Sequence, residues 1–415
     1  MGKKKYHSLY GQLMERPRLR SAFQRVRANG GAPGSDGVTV EAFEADMENQ
    51  IAQLISELRQ KVYHPQPIRR VEIPKRNGGK RPLGIPSVRD RVVQENLRDI
   101  LEKIFDKTFS EHSHGFRPNR SQFTALKDLW TQIRKGGVLI VDVDVEKCFD
   151  TIPHQALIDE VASEVADGSV LNLIEIFLTA PIKDGYRYVW PKQGTPQGSP
   201  MSPLLANIYL AKLDRHLKAK KVNFVRYADD LRATTGKMWK AREIKEEIEK
   251  GLKSIGLKMN RPKTRLTTID RGVNFLGFRL NRFKGKLYAL VPRDRVHSFR
   301  ERVKSWTRRN SHLTFTERMN KLAEYVEGWG EYYKRAQQPK LFYKLDRWIY
   351  RRLIAMEAGR WRTRLYRKYP LRYFRRRGLA SLFRMHSEYL KGPWVPGQLN
   401  LPLKCRWVRK GNVSL

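Results

Sequence analysis

The residues best placed to do chemistry are two sets of aspartates. In Phe224-Val225-Arg226-Tyr227-Ala228-Asp229-Asp230-Leu231 an apolar and aromatic run leads into adjacent carboxylates, and apolar or small residues resume at Leu231 and Ala233. The pattern predicts a strand, a tight turn carrying the carboxylates, and a returning strand. By itself, Asp-Asp in a turn is equally what a solvated hairpin tip contains. Upstream, Val138 to Val145 is apolar except for Asp142 and Asp144, two apart and therefore on one face of a strand. A carboxylate within an apolar strand is costly unless it is paired or bound to metal. Two such strands side by side would crowd like charges together, and a divalent cation relieves the repulsion. Hard cations such as Mg²⁺ take oxygen ligands and leave room for substrate phosphates. Two of them, about 3.5–4 Å apart, serve in-line phosphoryl transfer.

Several elements must position these groups. Arg18 to Arg27 reads as a basic helix with Pro17 at its start, followed by a glycine-rich break from Asn29 to Gly37. That break lacks the Gly-Lys-Ser/Thr ending of a nucleotide-binding P-loop. Glu41 to Val62 has the apolar spacing of one amphipathic helix (Phe43, Met47, Ile51, Leu54, Ile55, Leu58). Arg69 to Pro86 reads as a hairpin around Asn77-Gly78-Gly79, crowded with Arg69, Arg70, Lys75, Arg76, Lys80 and Arg81, so its tip suits phosphate. Helices are expected at Arg89–Phe105, Phe123–Ile133, Leu157–Leu178 and Lys240–Ile255, with His112 and His114 as ordinary surface residues between the first two. The Gly/Pro/Ser cluster from Gln193 to Pro203 switches into a long apolar helix, whose first turn would offer free N–H groups to an anion. Beyond Pro292 the periodicity is helical throughout.

The chain has 415 residues, enough for two or three domains with real cores, and a formal net charge of +41. Such an excess points to a polyanionic partner, with nucleic acid the simplest. A membrane surface competes poorly, because no long apolar span and no charged-then-apolar leader is present. The two cysteines, Cys148 and Cys405, cannot form a disulfide framework or a cysteine-rich zinc site and suit a reducing, cytoplasmic setting. From Val291 onward there are 31 basic against 9 acidic residues, over half of the total excess, together with 20 of the 43 aromatics. Interleaved cations and rings suit RNA, where phosphates pair with Arg and bases stack. A helical domain with an aromatic core and a solvated basic face would show the same composition.

Asp144-Val145-Glu146-Lys147-Cys148-Phe149-Asp150 and Tyr227-Ala228-Asp229-Asp230 resemble the two acidic motifs of reverse transcriptases. The neighbouring segments resemble the group II intron reverse transcriptase/maturase family in particular, of a bacterial type without the C-terminal HNH endonuclease domain, whose paired CxxC elements are missing. The resemblance runs over nearly the whole chain and keeps motif order and spacing. It implies an α+β right-hand polymerase, with a fingers/palm domain followed by an all-α basic thumb or maturase (X) domain. The implied divisions are an N-terminal extension at 1–62 with the glycine-rich loop as a template lid, fingers and palm at 63–291, thumb at 292–390 and a basic tail at 391–415, where such proteins carry a short DNA-binding segment.

The resemblance also implies roles. Asp144 and Asp229, with Val145, would hold two Mg²⁺ ions, for which Mn²⁺ can substitute, and Asp230 would assist. Lys75 and Arg81 match residues that hold the incoming triphosphate. Gln197 and Gly198 match the Pro-Gln-Gly segment beneath the nucleotide, and Val145 belongs to the same nucleotide contacts. Phe149 matches the aromatic that excludes a 2′-hydroxyl, although a core Phe fits its turn as well. Arg117, in Gly115-Phe116-Arg117-Pro118, either contacts template or nucleotide or holds that turn. Lys263 matches a lysine that protonates departing pyrophosphate. Gly277 and Phe278 match the strand-turn that grips the primer end, and Arg372, Arg375, Arg376 and Arg377 form a basic cluster for RNA. Partners implied are group II intron RNA, an RNA template with its DNA primer, target DNA and dNTPs. Without the endonuclease the primer would come from elsewhere, such as a nascent strand. A reverse transcriptase in other host use, including a CRISPR-linked one, and an RNA-binding splicing cofactor without polymerase activity are the alternatives.

Overall fold

The computed structural model describes residues 5–74, 78–308, 311–359 and 365–391. Lys75 and all of the 391–415 tail beyond Lys391 lie outside the described residues. Eleven strands occur among them: β1 (Ile68–Pro74), β2 (Lys80–Ile85), β3 (Leu139–Val143), β4 (Ile182–Asp184), β5 (Arg187–Val189), β6 (Asn223–Tyr227), β7 (Asp230–Thr235), β8 (Arg265–Thr268), β9 (Val273–Phe275), β10 (Phe278–Phe283) and β11 (Lys286–Leu290). The chain divides into two compact units, one of residues 1–125 and 140–266, the other of 126–139 and 267–415. No described helix is long and apolar enough to cross a membrane.

In the first unit β1 and β2 form the expected antiparallel hairpin, with Arg69 opposite Ile85 and Pro74 opposite Lys80. β4 joins it in parallel and β5 closes the edge, giving the order β2-β1-β4-β5. A second sheet places β6, β7 and β3 side by side in that order. The helix Val88–Phe105 is buried along most of its length, and the helix Ser202–Ala219 likewise. Both sequester Leu, Ile and Val faces, each worth about 1.5–3 kcal/mol per fully buried large side chain.

Two stretches expected as single helices are each broken. Glu41–Val62 is interrupted at Asp46, whose backbone leaves the helical region and whose carboxylate accepts from the Asn49 and Gln50 amides, giving Val40–Ala45 and Met47–Gln60. Leu157–Leu178 divides into His154–Ala162 and Gly168–Thr179 because Asp167 caps the second piece through the N–H groups of Ser169 and Val170. The other Asp167 oxygen takes N–H bonds from Leu9 and Tyr10, so one side chain also pins the N-terminal segment. The glycine-rich loop is tied down too. Arg91 donates to the carbonyls of Gly30 and Ala32, and Ser35 donates to that of Pro67.

In the second unit β11, β10 and β9 form an antiparallel sheet, and helices Arg293–Trp306, Phe315–Tyr333, Pro339–Glu357 and Leu382–Lys391 make up the helical part. Its core is aromatic: Phe299 packs against Tyr325 and Trp329, and Trp329 against Tyr333 and Phe342. Thr314 and Glu317 form a reciprocal capping box at the second helix. His386 is buried against Phe342, and its Nδ1–H donates to the Lys334 carbonyl at 2.7 Å, while Nε2 has no partner. Burial lowers its pKa from 6.5, favouring the neutral ring in the folded unit. The unfolded chain takes up a proton as pH falls through 6.5 and the folded chain only at lower pH, so acidification costs stability, by at most about 1.4 kcal/mol per pH unit. The thermal midpoint is expected to drop between pH 7.5 and 5.5, and the drop to shrink in His386→Gln. An unchanged pH slope in that variant would remove His386 as its source.

Candidate active site

β3 lies beside the β6–β7 hairpin, so Asp144, one residue past the end of β3, meets the carboxylates at the hairpin turn. That turn is the two residues Ala228 and Asp229, closed by the pairing of Tyr227 with Asp230, with Ala228 held at φ +56°. The tightness has visible supports. A Cβ added to Gly115 would fall 2.5 Å from the Ala228 nitrogen, so only glycine lets this loop pass under the turn. The buried Arg226 guanidinium donates to both oxygens of Asp214 (2.8 and 2.6 Å), to Asn207 (2.9 Å) and to the Ala228 carbonyl (3.0 Å). Asn207 in turn donates to the Gly115 carbonyl at 2.7 Å.

Asp229 reaches solvent at the rim of the turn, but protein crowds its carboxylate from the other sides. That desolvation, then the charges of Asp230 and Asp144, raises its pKa, while Arg81 works against the rise. Asp142 is raised by burial and by the same neighbours, with Arg232 opposing. Arg232, nearly buried, bridges Asp142 (2.8 Å) and Asp230 (2.6 Å). Asp230, the first residue of β7, is therefore drawn toward β3's own Asp142, and Arg232 is spent on that pair rather than on Asp229 or Asp144. Lys263 approaches Asp144 at 3.6 Å, and both side chains are well exposed. Its segment is fixed along the motif by the N–H of Glu146 to the Lys258 carbonyl and that of Asn260 to the Asp144 carbonyl. Among the described residues no three His, Cys, Asp or Glu side chains gather as a metal cage.

Arg81 on β2 donates to Gln197 at 2.7 Å, and Gln197 donates to Asp150 at 3.1 Å. The β1–β2 hairpin, the Pro-Gln-Gly loop and the turn after Asp144 are thereby joined in one polar chain. The loop lies against β2 through the Gly84 N–H to the Gln197 carbonyl at 2.6 Å, and a Cβ on Gly198, at φ +115°, would fall 2.2 Å from the Gly84 carbonyl oxygen. Phe149 sits half-exposed on the short helix Cys148–Thr151, and Val145 has a buried side chain, which leaves its backbone carbonyl as the group it can offer. Burial pushes the Cys148 thiol up to about 12, so it is inert packing.

One expectation is narrowed and two need correcting. The Arg117 side chain is buried, and its donors go to the Asp106 carboxylate and the carbonyls of Asp106, Ser110 and Ser113, so it holds the turn, the structural one of its two expected roles. Phe278 is fully buried between Tyr332 and Tyr333 and cannot itself meet a primer; the two hydroxyls bond the carbonyls of Leu276 and Gly277. His114 is buried, with its Nδ1 at 2.9 Å from the Thr124 hydroxyl. Arg372, Arg375, Arg376 and Arg377 are all exposed, around the helix Leu371–Arg375 in the second unit. Sequence reasoning did not single out Arg226, Arg232, Asp214 or Asp150. The available signal was weak: a basic residue three positions before the aspartate pair and another two positions after it.

Residues 73–280, half of the chain, match the family model for reverse transcriptase (RNA-dependent DNA polymerase), and the chain belongs to that family. Further along, residues 296–374 match the model for the group II intron, maturase-specific domain. The group II intron-encoded protein LtrA of Lactococcus lactis is 39% identical over 219 residues, 52% of this chain and 36% of LtrA, so the match spans about a third of that relative. Protein YkfC of Escherichia coli is 32% identical over 273 residues, 56% of this chain and 72% of YkfC. A solved structure, a partial Cas6-RT-Cas1–Cas2 complex, aligns at 21% identity with a TM-score of 0.38 over 60% of this chain and 42% of that one, too low a score to bear on function.

Proposed function

We propose that the chain is an RNA-directed DNA polymerase that also binds a group II intron RNA as a maturase. The observation that carries the reading is the meeting of Asp144 with the Asp229–Asp230 turn, next to Arg81 and Lys263, in a member of the reverse transcriptase family. The donor set fits Mg²⁺: hard oxygens from Asp144, Asp229 and the Val145 carbonyl, with the two carboxylates near enough to raise Asp229's pKa. Mg²⁺ sites in phosphoryl transfer need only one or two carboxylates, since substrate phosphates complete them. Bound there, Mg²⁺ supplies neutralisation of phosphate charge. The other roles belong to the chain itself. Arg81 and Gln197 hold the triphosphate, Gly198 lets the loop lie against β2, and Phe149 stands where a ribose 2′-hydroxyl would collide. Lys263 carries its Nζ proton beside Asp144, toward the departing pyrophosphate. As the primer 3′-oxygen bonds to the α-phosphorus, the bond to pyrophosphate breaks, and catalysis is positioning plus electrostatics.

The helical unit, with its exposed Arg372, Arg375, Arg376 and Arg377, serves as thumb and intron-RNA surface, giving affinity and salt dependence. In this reading the fingers and palm span 63–291 and the thumb 292–390, and the copied intron re-enters target DNA by target-primed synthesis. The test is extension of oligo(dT) on poly(rA) with dTTP and Mg²⁺. Incorporation that fails with UTP in place of dTTP is the expected result. Tight RNA binding with no incorporation would overturn the polymerase and leave an RNA-binding splicing cofactor.

A further inference from the structure

The β4–β5 hairpin plays no part in the site described above, yet it carries the densest group of exposed rings in the first unit. Tyr186 in its turn is 102% exposed, Tyr188 47% and Trp190 66%. Tyr188 and Trp190, two apart, lie on one face, with ring centroids 6.5 Å apart and planes tilted by 42°. Soluble chains rarely leave such a group open without a use for it.

The register supplies the chemistry. Tyr188 pairs with Lys183 across β4, and Lys183 pairs with Arg69 on β1, so ring, ammonium and guanidinium form one row across three strands on the same face. Strands lie about 4.8 Å apart, so the row is about 10 Å long. The Arg69 Nε is buried and has no hydrogen-bond partner. Among the described residues Arg69, Lys183, Arg187 and Lys192 make no ion pair, whereas the hairpin's one acid, Asp184, is neutralised by Arg70 at 3.2 Å. Open rings beside unpaired cations match bases that stack and phosphates that pair.

We propose that this hairpin is a stacking site for single-stranded RNA, with Tyr188 and Trp190 receiving bases and Arg69 and Lys183 receiving phosphates. A duplex hides its base faces, so the site selects unpaired strands, and it has no donors arranged to read base edges, so it is indifferent to sequence. It rests on the proposed function only in taking RNA as the strand.

The test uses the full chain, a labelled oligo(U) of about twenty nucleotides and a blunt RNA duplex of equal length. Each stacked base contributes about 5- to 150-fold in affinity. Tyr188→Ala/Trp190→Ala is expected to weaken oligo(U) binding at least tenfold with duplex binding and the salt slope unchanged. Lys183→Gln is expected to lower the salt slope of oligo(U) binding by about 0.7. These positions face solvent, so an unchanged melting temperature is the folding control. Because other basic surfaces also bind RNA, photo-crosslinking of 4-thiouridine-substituted oligo(U) to wild type is read by mass spectrometry. Crosslinks within 183–192 are expected. Their absence, equal loss of duplex binding, or a ring variant that changes only the sedimentation of the free protein would overturn the proposal, the last by assigning the face to a second copy of the chain. No step requires polymerisation: failed primer extension with crosslinks at the hairpin would sink the polymerase reading alone.

Discussion

Asp229→Asn is expected to reduce RNA-templated dTTP incorporation by at least about 10³-fold while leaving the chain folded and its affinity for RNA intact. The size of the effect follows from where the residue stands. Asp229 is one of two residues in a turn held open by its neighbours, and its carboxylate has fewer cations around it than Asp142 or Asp230, which share Arg232. An amide keeps the shape and removes the charge that a divalent cation requires. It also removes a repulsion, because Asp144 and Asp230 already disfavour a charge at this position, so the variant should be no less stable than wild type in the absence of metal. Loss of activity with equal or higher thermal stability is the signature to look for. Incorporation within tenfold of wild type would place the chemistry elsewhere. Asp230→Asn offers an internal contrast: its charge is already partly spent on Arg232, so its loss should be smaller.

What the sequence disclosed follows from how each residue breaks a local rule. Asp142, Asp144, Asp229 and Asp230 were legible because carboxylates inside or between apolar strands contradict their surroundings, and the β6–β7 hairpin was legible from the same apolar runs. The long helices were found from apolar spacing, but their interruptions at Asp46 and Asp167 were not, because a capping aspartate inside an amphipathic pattern looks like one more polar position. The β4–β5 hairpin was missed for the opposite reason. Its strands are three residues long, and Tyr186-Arg187-Tyr188-Val189-Trp190 is exposed throughout, so no alternation of burial marks it as a strand. Arg117 was left open between a nucleotide contact and a turn-holding role, and Arg226 was given none, because the burial of both side chains depends on partners that only the fold brings close, such as Asp106 for one and Asp214 on the helix Ser202–Ala219 for the other.

Arg226 bears the second large expectation. Arg226→Met removes a buried cation and leaves Asp214, only 2% exposed, as a buried charge without its partner. Breaking a buried pair in this way costs about 3–5 kcal/mol, most of it the desolvation of the abandoned charge. Asn207 and the Ala228 carbonyl lose a donor as well. The urea midpoint is expected to fall accordingly, and primer extension to fail even where the variant is folded, because the Ala228 carbonyl sits one residue before Asp229. The cost should depend on the partner left behind. Arg226→Met/Asp214→Leu removes both charges, and replacing a buried ion pair by apolar groups of similar volume is often neutral. Most of the lost stability should therefore return in the double variant while activity does not, since the turn still lacks its donor. A single variant within about 1 kcal/mol of wild type would show that Asp214 finds another partner. Recovery of both stability and extension in the double variant would show that Arg226 supports only the fold, leaving Gly115 and the strand pairing to set the turn.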